Sequence, residues 1–422
     1  MEASTSRRIN RLHYAWIVLV MGTLVVFGSL GLARFGYTVI LPSMQVSLSL
    51  DNTQAGFLAT TNLVGYLTLS ILGGALASRF GPRKVITIGL ALAGAGMLLT
   101  GFSKTFLSAA LWRGLTGIGS GASNVPAMGL MSAWFVSRRR GFASGIAVAG
   151  SSIALVLVGI FVPRLLLSDA ETGWRTAWWG FAAITILLAV AGWLLLRDKP
   201  QDIGLHPLGL KPEEQLPSSQ ARTMQWGRIY RSFAVWHLGF VYVAFGFSYI
   251  IYLTFFHKRL IAEAGYTQGG AGALFMTMGW FSLFCGLIWG VVSDLLGRKQ
   301  ALFLVYLIHA ISFSLFGLWD NPLGFLLSAI LFGLTAWSIP AIMAATCGDI
   351  LGPQLAPAAL GFITLFFGIG QAIGPSVAGA MADASGTFVP AYLLAGGVAL
   401  LGALGTLLLR PASTLPVEPD HT

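Results

Sequence analysis

Charged residues are scarce in this 422-residue chain: Asp, Glu, Lys and Arg make up 9% of it, against about 25% in a soluble domain. That shortage excludes a coiled coil or a disordered chain, both solvated by charge. With 56% apolar residues, 28 Phe and 13 Trp, an ordinary soluble enzyme is excluded as well. Cysteine is nearly absent. Cys285 and Cys347 both sit inside apolar runs, so neither a disulfide framework nor a metal site follows. The motifs of membrane-bound chemistry are missing too: no ATP-binding Gly-x-x-x-x-Gly-Lys-Ser/Thr loop, no His-Glu-x-x-His pair and no Gly-x-Ser-x-Gly elbow. No enzyme activity, catalytic residue, metal or cofactor is expected. The net charge of +10 would suggest nucleic acid in a soluble protein, but in so apolar a chain it reads as loop bias, and no nucleic-acid partner is expected.

What is present is hydropathy in long blocks. Each helical crossing of a bilayer takes about 20 apolar residues, and twelve runs qualify: 14–42, 53–78, 85–102, 107–135, 141–163, 174–196, 233–256, 268–293, 300–318, 323–347, 357–382 and 388–409. Their glycine content favours close helix packing, and none alternates as the strands of a membrane barrel do. The run after Arg7, Arg8 and Arg11 is too long for a signal peptide. The expected fold class is an all-α membrane protein of twelve transmembrane helices. With the N-terminus inside, 18 Lys and Arg fall on the inner side; Lys104, Arg164, Arg175, Lys258 and Arg259 fall outside, and Arg34 and Arg113 within spans. The positive-inside rule then predicts a multi-pass protein of the cytoplasmic membrane with both termini in the cytoplasm. The one long hydrophilic stretch, with Glu213, Glu214, Pro217, Ser218 and Ser219, divides the chain. The expected organisation is a cytoplasmic tail (1–13), a six-helix bundle (14–196), a cytoplasmic linker (197–232), a second six-helix bundle (233–409) and a disordered tail (410–422).

The halves echo each other. Gly74, Ser78 and Gly81 after the second span, followed by Arg83 and Lys84, correspond to Gly290, Asp294 and Gly297 after the eighth, 216 positions on and followed by Arg298 and Lys299. Gly141, Phe142, Gly150 and Gly159 match Gly361, Phe362, Gly370 and Gly379 at an offset of 220. A duplicated six-helix unit is the economical explanation, and transporters are commonly built from such repeats. The two loop motifs, with Arg113, Gly117, Gly119 and Gly121 in span four and Gly370, Gly374 and Pro375 in span eleven, resemble the major facilitator superfamily. Trp134, Phe135, Arg139, Arg140, Gly141 and Gly145, with Pro200, Asp202, Gly204 and Leu205, resemble its bacterial organic-anion and monocarboxylate (oxalate–formate antiporter-like) branch. Two features depart from the family pattern: Ser78 stands where the first loop motif has Asp, and span five has no Gly-Pro pair.

The resemblance implies two pseudo-symmetric bundles around a cavity lined by spans one, four, seven and ten. Arg34 and Arg113 are the only charges well inside the spans, and no Asp or Glu lies deep in any of them. Buried guanidiniums without carboxylates need an anion, carbonyls or water, and a carboxylate fits the Arg fork. Tyr37 lies near Arg34 on span one, Asn62 and Tyr66 lie on span two, and Ser120 and Asn124 share a face of span four with Arg113; together they form a candidate polar wall. Phe245, Tyr249 and Tyr252 of span seven, Trp337 of span ten and Gln371 of span eleven form a candidate aromatic wall opposite. A cavity of this kind suits a small amphipathic anion. Asp294, with Arg298 and Asp349, is the candidate latch against the basic start of span five near Arg140, and Arg83 belongs to the lopsided counterpart in the first half. The expected function is secondary active transport of a small organic anion, a mono- or dicarboxylate, by proton symport or anion exchange, with efflux of amphipathic compounds as the alternative. The expected partners are that anion, protons or a counter-anion, and the bilayer, and the expected state is a monomer. With no buried acid, coupling falls to the substrate's own carboxyl, to His257, or to exchange.

Overall fold

The computed structural model describes residues 13–169, 171–210 and 226–409, and among them every extended regular element is helical. The apolar blocks become helices because hydrocarbon offers no outside partner to a backbone N–H or C=O. In chain order these are α1 (Ala15–Ser47), α2 (Asn52–Phe80), α3 (Pro82–Gly101), α4 (Phe106–Trp134), α5 (Ser137–Ser168), α6 (Gly173–Leu195), α7 (Phe233–Ala262), α8 (Gln268–Ser282 continued by Cys285–Leu296), α9 (Arg298–Leu318), α10 (Pro322–Leu351), α11 (Ala358–Ser385) and α12 (Val389–Leu407). Among the described residues, nine helices are long and apolar enough to cross a membrane as they stand, and eleven once the bent α2 and α8 each count as one span. The exception, α4, is long enough but diluted by Arg113, Ser120, Ser123 and Asn124. Leu187, Leu194, Phe233, Leu287, Leu295 and Leu401 lie exposed on the outer surface, where hydrocarbon rather than water is their fitting neighbour.

Some expectations fall outside the described residues: the tail before residue 13, the linker at 211–225 with its Glu213–Glu214 and Ser218–Ser219 pairs, and the tail from residue 410. The first part of the expected linker is docked. The Leu208 amide donates to the Trp134 carbonyl at 2.8 Å and the Leu208 carbonyl accepts from Val136 N at 3.3 Å. The Trp134 indole donates to the Arg197 carbonyl at 3.1 Å. This strap closes over the α4–α5 turn, where the chain must leave one helix and enter the next.

The glycines that betray the repeat also locate its contacts. A Cβ at Gly150 would meet the Thr23 carbonyl of α1 at 2.2 Å, and one at Gly370 the Val243 carbonyl of α7 at 2.4 Å. A Cβ at Gly159 would meet the Gly272 carbonyl of α8 at 2.6 Å, and one at Gly379 the Asn52 carbonyl at the start of α2 at 2.2 Å. So α5 and α11 each pack on the first helix of their own half and on the second helix of the other half. At the opposite end, Gly141 and Gly361 meet nothing within 4 Å among the described residues, nor do Gly74 and Gly290. The halves are pressed together at one face and stand apart at the other. The open end is the face carrying Arg83, Lys84, Arg138, Arg139, Arg140, Arg298 and Lys299, the basic face.

The closed, far face is tied by one carboxylate. Asp383 at the end of α11 accepts from Asn52 N at 3.0 Å, from Thr53 N at 2.7 Å and from the Thr53 hydroxyl at 2.5 Å. An anion there answers the partial positive charge of the α2 N-terminus. Two turns deeper, the Thr60 hydroxyl donates to the Ala372 carbonyl at 2.7 Å. Replacing Asp383 with Asn should free this end by about 1 kcal/mol, the ordinary worth of an N-cap. The measurement is far-side thiol labelling of a cysteine placed at Thr38; labelling should rise several-fold, and an unchanged rate would show that Asp383 does not hold the far face.

Candidate functional site

Arg34 stands near the end of a π-helical stretch of α1, Phe27–Phe35, an irregularity that widens the helix and is frequent at functional sites. Its side chain crosses to the other half. Nη1 donates to Gln371 Oε1 at 3.3 Å and to Tyr249 Oη at 3.5 Å, both long contacts to neutral acceptors. The guanidinium lies over the Tyr66 ring, 4.4 Å from its centroid. Arg34 is only 8% exposed, yet Nε and Nη2 have no hydrogen-bond partner. A buried charge so weakly paired is costly unless an anion completes it.

The acceptors of Arg34 are themselves held. Gln371 Nε2 donates to Tyr249 Oη at 2.6 Å, and Asn124 Nδ2 to Tyr66 Oη at 3.0 Å. Tyr242, Phe245, Tyr249 and Phe367 form a slab of nearly parallel rings, with Phe245–Tyr249 and Tyr242–Phe367 centroids 4.6 Å apart. His309, on α9, stacks behind Phe245 at 5.7 Å, so it backs this slab.

Arg113 is bound differently. It is 1% exposed; Nη1 donates to the Ala33 carbonyl at 2.6 Å, and its guanidinium lies 4.7 Å from the Tyr37 ring and 5.1 Å from the Trp178 ring. Its own backbone carbonyl accepts from Asn62 Nδ2 at 3.1 Å. Arg113 therefore clasps the π-stretch that presents Arg34. A small cavity of about 10 Å³ lies between the two arginines, lined by Tyr37, Thr38, Asn62 and Thr254 among others; it has room for one water.

The structure thus gathers Arg34, Tyr66, Asn124, Tyr249, Phe245 and Gln371 into one group, with Arg113, Asn62 and Tyr37 supporting it from the closed side. The Tyr37 hydroxyl is spent on the Ala55 carbonyl at 2.8 Å. Three expected residues stand elsewhere. Tyr252 sits in the core of the second half, its hydroxyl 2.8 Å from Ser328 and its ring against Phe313, Phe316, Phe332 and Tyr392. A stripe at spacings of three and four is broad enough to wrap from cavity to core, and Tyr252 lies on its core edge. The Ser120 hydroxyl turns back onto the Thr116 carbonyl of its own helix at 2.9 Å. Trp337 sits at the seam between halves, donating to Ser152 at 3.0 Å with its ring 5.3 Å from that of Phe35.

On the basic face, Arg298 joins Asp294 at 2.5 Å and Asp349 at 3.2 Å, the expected acid pair. Asp294 is 68% exposed and is not engaged with the start of α5. Arg140 donates to the Phe135 carbonyl at 3.2 Å, and Arg138 to the Gly209 carbonyl of the strap. Arg83 donates to the Trp193 carbonyl at 2.7 Å. Near Ser78, where the repeat lacks its acid, Asp198 accepts from Arg83 N at 2.7 Å and caps α3.

Sequence reasoning missed several residues. Trp178 lies in an apolar run with nothing to mark it. Thr38 and Thr254 are single hydroxyls. Arg259, placed by hydropathy in an outer loop, is a buried tie inside α7: it donates to the Phe316 and Gly317 carbonyls at 3.0 Å each and pairs with Glu263 at 2.5 Å. Glu263 four residues on was the available signal. From the bonds of Arg113, Arg113→Ala should lower the unfolding free energy by about 1.5–3 kcal/mol, the worth of a charge-assisted bond. Arg34→Ala, which forfeits two long hydrogen bonds and the Tyr66 ring face but also removes a weakly paired buried charge, should leave it nearly unchanged. Thermal unfolding of the two variants in detergent checks this; equal losses would contradict the division of roles.

Known proteins share this chain's sequence pattern and fold. Residues 26–407 match the family described as uncharacterised MFS-type transporter YbfB. A probable sulfoacetate transporter of Cupriavidus necator is 26% identical, with 92% of each chain covered. A hexuronate transporter of Bacillus subtilis is 24% identical over 92% of this chain and 93% of its own. Human monocarboxylate transporter 11 is 26% identical over 92% of this chain and 82% of its own. A solved bacterial homologue of the lysosomal transporter Spinster superposes with a TM-score of 0.73 at 16% identity, covering 94% and 95% of the two chains; it shares the fold.

Proposed function

We propose that this chain, which belongs to the MFS-type transporter family, carries a small organic anion, a mono- or dicarboxylate, across the cytoplasmic membrane by alternating access. The observation that carries the reading is Arg34: a buried cation at the junction of the halves, bound to neutral groups only, with two nitrogens, Nε and Nη2, left over. A carboxylate there would take those donors in the two-pronged geometry that suits guanidinium, while its carbon skeleton lies on the slab of Phe245, Tyr249 and Phe367. The relatives described as sulfoacetate, hexuronate and monocarboxylate transporters support this substrate class.

The transport cycle follows from what must break and form. With the basic face in the cytoplasm and both termini there, as the distribution of Lys and Arg supports, the present arrangement is open inward. Opening outward requires the Asp383 and Thr60 ties to part and the basic-face ends of the four seam helices to close. On closure Asp294 would meet the N-terminus of α5, where the helix dipole and Arg139 and Arg140 supply positive charge. Each six-helix half then moves as a body, in a protein that works as a monomer, by proton symport or anion exchange.

Two experiments test these points. In uptake assays with lactate, sulfoacetate and glucuronate, Arg34→Ala should reduce transport by ten- to a hundred-fold, about 1.5–3 kcal/mol of lost charge-assisted bonding. Arg34→Lys should fall between, keeping the charge but losing the fork, and Phe245→Ala should alter chain-length preference with a smaller loss. Normal transport by Arg34→Ala would refute the proposal. For the latch, Asp294→Asn should raise labelling of a cavity cysteine from the basic face and Ser78→Asp should lower it; unchanged labelling of both would refute the latch.

A further inference from the structure

His257 lies two turns beyond Tyr249 on α7, fully buried beneath the closed far face. One ring nitrogen, Nε2, is 3.1 Å from Gln268 Oε1 at the start of α8; the other, Nδ1, is buried without a partner. Gln268 in turn lines a cleft of about 520 Å³ that opens on the far face beside Pro42, Ser47 and Glu171. Thr254, three residues before His257 on the same helix, lines the small cavity between Arg34 and Arg113. His257 therefore stands between the far-face cleft and the candidate anion site, with one polar residue leading to each.

The groups around it leave it without a counter-charge. The adjoining half of α1 brings only Tyr37, bonded to Ala55, and the first half of α8, Gln268–Ser282, brings no titratable side chain. The end of α11 brings Asp383, engaged with α2, and Tyr392 is the one titratable side chain of α12. On its own helix Arg259 is paired with Glu263 and, at 3.9 Å, with Asp320, and Lys258 is a further cation; Tyr266 follows in the turn, and Glu171 borders the outer cleft.

Resting on the organic-anion reading above, we infer that His257 takes the coupling proton from the far side and makes the protein a proton–anion symporter. In the closed arrangement an imidazolium would bury both a charge and an unanswered Nδ1–H, which is unfavourable without an anion. The far face thus closes over a neutral imidazole, or over an imidazolium accompanied by a carboxylate in the adjoining site, but not over imidazolium alone. A proton taken from the far side therefore passes only together with an anion, which couples its movement to the anion's.

The test uses the full chain in proteoliposomes, with labelled lactate, sulfoacetate and glucuronate as probes. An acidic exterior should drive accumulation by the wild type. His257→Gln should accumulate only to equilibrium while still exchanging labelled for unlabelled anion, which shows that it is folded and binds. Accumulation by His257→Gln equal to wild type, a wild type indifferent to the pH gradient, or loss of exchange together with accumulation would each overturn the inference. A second measurement needs no anion, so it tests His257 even if none of the three probes is carried. Far-side labelling of a cysteine at Thr38, taken relative to a fully exposed reference cysteine so that the fall in thiolate with pH cancels, should speed up several-fold as pH falls from about 8 to about 5.5, through the ordinary imidazole range, and this relative dependence should vanish in His257→Gln. Its persistence in the variant, or its absence in the wild type, would overturn the inference.

Discussion

Two guanidiniums buried in an apolar bundle that offers no deep carboxylate form the constraint on which the rest of this structure depends. The protein resolves them in opposite ways. Arg113 is held structurally, by a short bond to the Ala33 carbonyl and by the faces of Tyr37 and Trp178, with only its Nε left over among the described residues. Arg34 is left with long bonds to Gln371 and Tyr249 and with two unused donors. One arginine is therefore part of the scaffold and fixes the π-stretch of α1; the other is presented by that stretch to whatever enters. Because its neutral acceptors lie in the second half, an anion that competes for Arg34 also acts on the contact between halves. Under the proposed function, binding and conformational change would thereby be joined in one side chain.

The movement has its own physical basis in the paired glycines. Gly159 and Gly379 let α5 and α11 approach the second helix of the other half to backbone contact at the far face, while Gly141 and Gly361 meet no described residue at the basic face. The same repeat that gives close packing at one end leaves the other end free, and a rocking of the halves would exchange the two. Polar ties are disposed accordingly. Asp383 clamps the closed face, and Asp294, exposed and held by Arg298, waits at the open one.

Much of this was legible in the sequence. Hydropathy blocks showed the helices because hydrocarbon enforces them, and the spacing of Gly150, Gly159, Gly370 and Gly379 showed the repeat because backbone contact admits no side chain. Arg34 and Arg113 stood out because charges in spans are rare. What could not be read was which way each side chain is satisfied. Nothing in the sequence says that Arg113 would find Ala33 and Trp178 while Arg34 would cross to Gln371, since both depend on helix rotation. The same limit misplaced Tyr252, whose spacing fits the aromatic stripe but whose phase turns it to Phe313 and Phe332. Arg259 was misread as a loop charge because α7 continues past its apolar run to Ala262. The strap at 197–210 was invisible for a different reason: backbone bonds such as Leu208 to Trp134 leave no signature in side-chain composition.

The central claim is that a carboxylate supplies the charge Arg34 lacks, and an acid and its neutral amide probe that directly. Lactate and lactamide differ little in size but differ in charge, and a ligand that binds only the folded state raises its stability by mass action. If the account holds, lactate, or sulfoacetate or glucuronate should one of these be the better ligand, raises the thermal unfolding temperature of the purified protein, its uncharged amide does not, and the acid's effect disappears in Arg34→Ala. An amide that stabilises as well as its acid, or an acid that stabilises Arg34→Ala as it does the wild type, would contradict it.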